Sequence, residues 1–132
     1  MESKKILIVD DEENELSLLD MVLSGAGYSV TASDNGEEAL VLAKSICPDL
    51  IIADLSMPDM DGGQVAVELK LQPETRDIPV LFLTGLYTKE QENKKGNMIA
   101  GNMILAKPCK SKTLLSAINT VLSSRPGPIP AT

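Results

Sequence analysis

The segment that most constrains the fold is Leu50–Gly62, LIIADLSMPDMDG. Four apolar residues, Leu50, Ile51, Ile52 and Ala53, run straight into a carboxylate, Asp54, and a Pro-, Asp- and Gly-rich turn follows. A short unbroken apolar run bounded by turn residues reads as a strand covered on both faces, the habit of parallel sheets. Its acid stands where the strand leaves the core. In open parallel sheets, ligands bind outside the carboxyl ends of the strands. Any other strand that ends on a polar residue delivers that residue to the same rim as Asp54.

The rest of the chain supplies such strands. Ile6-Leu7-Ile8-Val9 is a second continuous apolar run and ends at Asp10 and Asp11. Leu16, Leu19, Leu23 and Ala26 then recur at helical spacing, predicting a helix from about Glu13 that glycine stops at Gly25 and Gly27. Tyr28 to Ala32 alternates and carries Ser29 and Thr31, which suits an edge strand. Asn35 is a plausible cap for a helix with the apolar stripe Ala39, Leu42, Ala43 and Ile46, ended by Pro48. Val65, Ala66 and Leu69 mark a third helix, closed at Gln72-Pro73. Pro79 to Leu83 is another buried strand, ending at Thr84-Gly85.

Thr88 to Gly96 has almost no apolar face, so a fourth helix there is expected to be short, frayed or mobile. Met103 to Ala106 is the last strand, ending at Lys107-Pro108. Ser111 can cap a final helix with the face Leu114, Leu115, Ile118, Val121 and Leu122. The Pro-rich stretch 125–132 reads as a disordered tail or linker stub. Strands alternating with helices five times predict an α/β, flavodoxin-like (βα)5 domain: a doubly wound five-stranded parallel sheet with helices on both faces. With the polar second strand at an edge, the expected order is 2-1-3-4-5.

Composition narrows the function classes. A chain of 132 residues is one domain on length and buries a core without metal or disulfide support. The net charge of −7 disfavours bare nucleic acid as a direct partner of this domain. His is absent and aromatics make up 2% of the chain, which excludes His-based catalysis and disfavours base stacking. Cys47 and Cys109 have neither metal-ligand nor redox spacing and read as reduced thiols of a cytoplasmic protein. The N-terminus has the pattern of neither a signal nor a transit peptide, and no apolar run approaches membrane-spanning length.

The expected fold gathers Asp10, Asp11, Asp54, Thr84 and Lys107 on one rim. Carboxylates ~5 Å apart repel by roughly 3 kcal/mol per pair at an effective dielectric near 20. A stable protein keeps such repulsion where a cation relieves it, and a few carboxylates with waters suit Mg²⁺. Asp54 can then serve as a carboxylate nucleophile toward a phosphoryl group, with Lys107 neutralising the transferring oxygens and Thr84 donating to the product. Each residue also has a plainer reading: Asp10, Asp11 or Thr84 as a helix cap, Lys107 as a solvated strand end, Asp54 as a turn acid. Five compatible residues at four strand ends are harder to explain that way. Asp59, Asp61 and Gly62 hint at a calcium loop, but Pro58 and the missing distal Glu break the pattern.

The set ILIVDDE, DLSMPDMDG, FLTG and LAKP resembles the receiver domain of bacterial response regulators, chemotaxis regulators among them, over about Lys4 to Ser124. The resemblance implies that Asp54 is the phosphoacceptor. It implies that Asp10 and Asp11 hold Mg²⁺ with Asp54 and the backbone carbonyl of Ser56. Thr84 becomes the switch hydroxyl and Lys107 the phosphate-contacting amine, with Lys107-Pro108 a candidate cis bond. It implies a sensor histidine kinase or phosphotransfer protein as donor, and self-catalysed phosphorylation rather than turnover. The altered surface of the fourth helix, last strand and last helix would bind a downstream effector or a second copy, with no membrane or direct nucleic-acid binding.

The sequence departs from that family at the switch. Where receivers usually carry Tyr or Phe in the last strand, three residues before the lysine, this chain has Ile104. The loop entering that strand looks about one residue short, and Cys109 stands where Phe is common. Tyr87, in the loop after Thr84, is the only nearby aromatic to substitute for it. These departures leave room for a pseudo-receiver, a binding module with a non-standard readout. A phosphatase of the haloacid-dehalogenase type also uses a strand-end Asp and Mg²⁺, but it wants a second Asp at the position that Ser56 fills.

Overall fold

The computed structural model describes residues 3–55, 57, 60, 62–85, 98–99, 102–107 and 110–124. The expectations placed on Ser56, Asp59, Asp61, Tyr87, the helix over 88–96, Pro108, Cys109 and the tail 125–132 lie outside these residues.

In chain order the elements are β1 (Lys5–Val9), α1 (Glu13–Gly25), β2 (Ser29–Ser33), α2 (Gly36–Ile46), β3 (Leu50–Ala53) and α3 (Gly62–Lys70). There follow β4 (Val80–Thr84), β5 (Met98–Ile99), β6 (Asn102–Ala106) and α4 (Ser111–Ser124). One sheet runs β2-β1-β3-β4-β6-β5. Its first five members in that list pair in parallel, in the expected order for a flavodoxin-like sheet. The two-residue β5 pairs antiparallel to β6, Ile99 opposite Asn102, as a hairpin that lengthens the sheet beyond its parallel members. Two residues are too few to carry any hydrophobic period, so this strand left no pattern to read.

Alternation along the strands divides the core. Leu7 and Val9, Ile51 and Ala53, Val80 and Phe82, and Ile104 join Ala39 and Ala43 of α2 and Val65, Ala66 and Leu69 of α3. Ile6 and Ile8, Leu50 and Ile52, Leu81 and Leu83, and Leu105 join Leu19 and Leu23 of α1 and Leu114 and Ile118 of α4. Every residue of β3 is buried, the signature of a central strand covered on both faces. β2 is mostly exposed or half-buried, as befits its edge position.

Local signals explain most helix ends. The Asn35 side chain accepts a hydrogen bond from the Glu38 N–H at 2.8 Å, capping α2 as expected. Its other end closes on Cys47 in the left-handed region, φ 49°, one residue before Pro48. Beyond α1, Gly27 takes φ 98°, a conformation that glycine adopts without strain. Ser111, expected as the cap of the last helix, is instead its first helical residue. The Leu114 N–H donates to the Lys110 carbonyl at 2.9 Å, so Lys110 occupies the capping position.

Candidate functional site

Three of the rim residues are pinned by the same device. Asp10, Asp54 and Lys107 are each the first residue after a strand, and each N–H still donates to the neighbouring strand. Asp10 donates to the Ser33 carbonyl at 3.2 Å, Asp54 to Val9 at 3.1 Å and Lys107 to Thr84 at 2.9 Å. The backbone at the site thus continues the ladder, so these side chains stand on the sheet itself rather than on a free loop. All three also fall on the alternation of Ile8, Ile52 and Leu105, which face α1 and α4. Their side chains meet on that side.

The lysine is the centre of the cluster. Its Nζ donates to Asp10 Oδ2 at 2.8 Å and to Asp54 Oδ2 at 3.2 Å, joining residues far apart in sequence. Asp10 is 2% exposed and Asp54 8%, so two carboxylates are held largely away from water and need the ammonium they share. Burial pulls the Lys107 ammonium toward its neutral form, but hydrogen bonds and charge from Asp10, then Asp54, outweigh it and raise its pKa above the ordinary lysine value.

Asp11 completes the acidic set. It is exposed, and one carboxylate oxygen from each of Asp10, Asp11 and Asp54 lies within 4.8 Å of the others. Three hard oxygen donors with one side open to solvent fit a divalent cation that keeps several waters. Asp10 is not the cap of α1: that position is Glu12, whose side chain makes no capping hydrogen bond. Asp10 Oδ1 instead accepts from the Glu12 N–H at 3.0 Å, which orients the carboxylate with its other oxygen toward Lys107.

Thr84 ends β4 opposite Ala106 and is fully buried. Alternation puts it with Phe82 on the α2–α3 side, across the sheet from Leu83. Ile104 lies opposite Phe82 and is also completely buried, packed in the α2–α3 cluster. Close backbone approach fixes the turn after Asp54: the Gly62 N–H donates to the Asp54 carbonyl at 3.0 Å. The pattern of strand ends missed Glu15, whose Oε2 lies 3.9 Å from Lys107 Nζ. Its signal was an acid one helical turn before Leu19 on the buried stripe of α1.

Parallel order, a carboxyl rim of acids and a half-buried lysine bridge define a flavodoxin-like domain with an acidic site at its sheet edge. A family model described as the response regulator receiver domain matches residues 6–119, and the chain belongs to that family. It is 37% identical over 121 residues to protein PilH of Pseudomonas aeruginosa, covering 90% of this chain and 98% of PilH. It is 35% identical over 122 residues to the alkaline phosphatase synthesis transcriptional regulatory protein PhoP of Bacillus subtilis, covering 91% of this chain and 49% of PhoP. The chain therefore spans nearly all of one relative and about half of the other. Among solved structures, chemotaxis protein CheY4 of Vibrio cholerae superposes with a TM-score of 0.78 at 31% identity, covering 90% of this chain and 98% of that one. A response regulator from Chloroflexus aurantiacus gives a TM-score of 0.80 at 31% identity, covering 92% and 98%. The protein is a receiver domain of two-component phosphorelay signalling, a signalling domain rather than a conventional enzyme. No helix among the described residues is long and apolar enough to cross a membrane.

Proposed function

We propose that Asp54 is the phosphoacceptor of this receiver, with Asp10, Asp11 and Asp54 holding Mg²⁺ and Lys107 serving as the phosphate-contacting amine. The observation that carries this reading is the Lys107 bridge, 2.8 Å to Asp10 and 3.2 Å to Asp54, beside the three-acid cluster. An Asp54 oxygen attacks the phosphorus of a phosphohistidine, the P–N bond breaks with its electron pair on the imidazole, and an acyl phosphate forms. Mg²⁺, when bound, supplies charge neutralisation for the transferring oxygens. Lys107 exchanges its contact with Asp54 for one with the phosphoryl group, and Thr84 is the switch hydroxyl at the end of β4. Ser56 would add its backbone carbonyl to the cation's ligands.

The donor is a sensor histidine kinase or a phosphotransfer protein, the setting is the cytoplasm, and the product is read by an effector or a second copy. The receiver unit runs over residues 4–124. A pseudo-receiver gains no support from a site whose acids and lysine are assembled. The test is intact-mass analysis after incubation with acetyl phosphate and Mg²⁺. One base-labile, acid-stable phosphoryl group is expected, absent from a folded Asp54→Asn variant. Full labelling of that variant would assign the acceptor elsewhere.

A further inference from the structure

The Lys107 ammonium faces a third carboxylate that the phosphoacceptor site does not require. Glu15 Oε2 is 3.9 Å from Nζ, beyond hydrogen-bond length, while Asp10 and Asp54 stand at 2.8 and 3.2 Å. Glu15 therefore does little to hold the lysine in place; what it adds is negative charge. Its placement is enforced by the helix. It lies one turn before Leu19 and two before Leu23, the buried residues of α1, so its side chain leaves the helix toward the sheet rim. It keeps 37% exposure, enough for solvent to damp its field without cancelling it.

Glu15 also shares a cleft with the lysine. With Leu18, Leu83 and Ser111 it lines a cleft of about 270 Å³ between α1 and α4, and Lys107 lies in the wall of that same cleft. A species that reaches the ammonium from this side passes the Glu15 carboxylate.

The geometry points to Glu15 as a specificity-determining residue, an acid beside Lys107 that slows phosphoryl transfer from small, highly charged donors. The inference rests on Asp54 being the acceptor. A phosphoryl donor must set its anionic oxygens against Lys107, and Glu15 opposes them in proportion to their charge. Acetyl phosphate, a dianion near neutral pH, meets this repulsion with nothing to offset it. A protein-borne phosphohistidine offsets it with contact area and with its own cationic groups. In the acetyl phosphate reaction an Asp54 oxygen bonds to phosphorus, the P–O bond to the acetyl group breaks, and acetate leaves with the electron pair; no proton is needed. Glu15 touches none of these atoms and acts through the charge around Lys107.

The test compares labelling rates of the whole chain and Glu15→Gln in Mg²⁺, using acetyl phosphate and the less anionic phosphoramidate. With acetyl phosphate at low salt, Glu15→Gln is expected to label about 3- to 10-fold faster. The gain should be smaller with phosphoramidate and should shrink toward unity near ~1 M salt, where the screening length falls to about 3 Å. Equal rates for the two proteins, or a gain indifferent to donor charge and salt, would overturn the role of Glu15 and leave the acceptor untouched. An unlabelled parent chain, or an Asp54→Asn variant that still labels, would overturn the acceptor and this inference with it.

Discussion

A Cβ placed on Gly62 would stand 2.6 Å from the carbonyl oxygen of Asp54 and 3.3 Å from Phe82 Cδ1. The first is a contact with backbone, which cannot rotate away, and the Gly62 amide already donates to that oxygen. Gly62→Ala is therefore expected to push Asp54 off the rim and cost about 1–3 kcal/mol, the range for overpacked sites. Gly25→Ala is the control: beyond its chain neighbours and the backbone of its own helix, nothing lies within 4 Å of where a Cβ would stand, and the change should be neutral or stabilise by up to about 1 kcal/mol. Urea denaturation of the two variants checks the contrast, which fails if both shift alike.

Lys107→Met leaves the buried Asp10 and Asp54 carboxylates facing one another without their shared cation. Losing one partner of a buried pair costs about 3–5 kcal/mol. Lys107 keeps 17% exposure, so about 1–3 kcal/mol is expected here. Saturating Mg²⁺ should restore much of that loss, because the bare acids gain more from a cation than acids already paired. Melting with and without Mg²⁺ reads this directly. A Mg²⁺-induced shift in the variant no larger than in the parent contradicts the three-acid site.

The raised pKa of Lys107 fixes a pH dependence. A group that holds its proton more tightly when folded adds stability that is fully present below its unfolded pKa, about 10.4 for lysine. That stability is lost as pH rises through the higher folded value. The parent should therefore lose an alkaline increment of stability above roughly pH 10.4 that Lys107→Met lacks. Parallel alkaline denaturation curves for the two proteins would contradict this.

Ile104 is fully buried opposite Phe82 in the α2–α3 cluster. Restoring the family's usual aromatic with Ile104→Tyr forces a larger ring and a hydroxyl into filled space. A loss of about 1–3 kcal/mol is expected, against about 2–5 kcal/mol for the cavity left by Ile104→Ala. Chemical denaturation measures both. A neutral Ile104→Tyr would mean that the site can open for a ring as receivers with an aromatic do.

The sequence made the frame legible wherever burial left a period. β1, β3 and β4 are unbroken apolar runs, and their polar ends located Asp10, Asp54 and Thr84; Lys107 follows the last parallel strand. The Asn35 cap was readable because its side-chain Oδ1 has one good use at that position, accepting from the Glu38 N–H. What stayed hidden is set by short segments or by tertiary contact. Met98–Ile99 is too brief for a pattern. Ser111 is a good capping type, yet the helix begins one residue earlier in its backbone bonding. Glu15 resembles an ordinary first-turn acid, and only the approach of Lys107, contributed by β6's far end, gives it a neighbour to act on.

Lys107 lies three positions beyond Ile104, an odd step along a pleated strand, so the two side chains belong to opposite sides of the sheet. A protein that grips α1 and α4 handles the lysine's hemisphere and leaves the isoleucine's alone. The chemistry at the lysine and the packing behind the isoleucine therefore draw on different sets of core residues, and substitutions in one can accumulate without repacking the other.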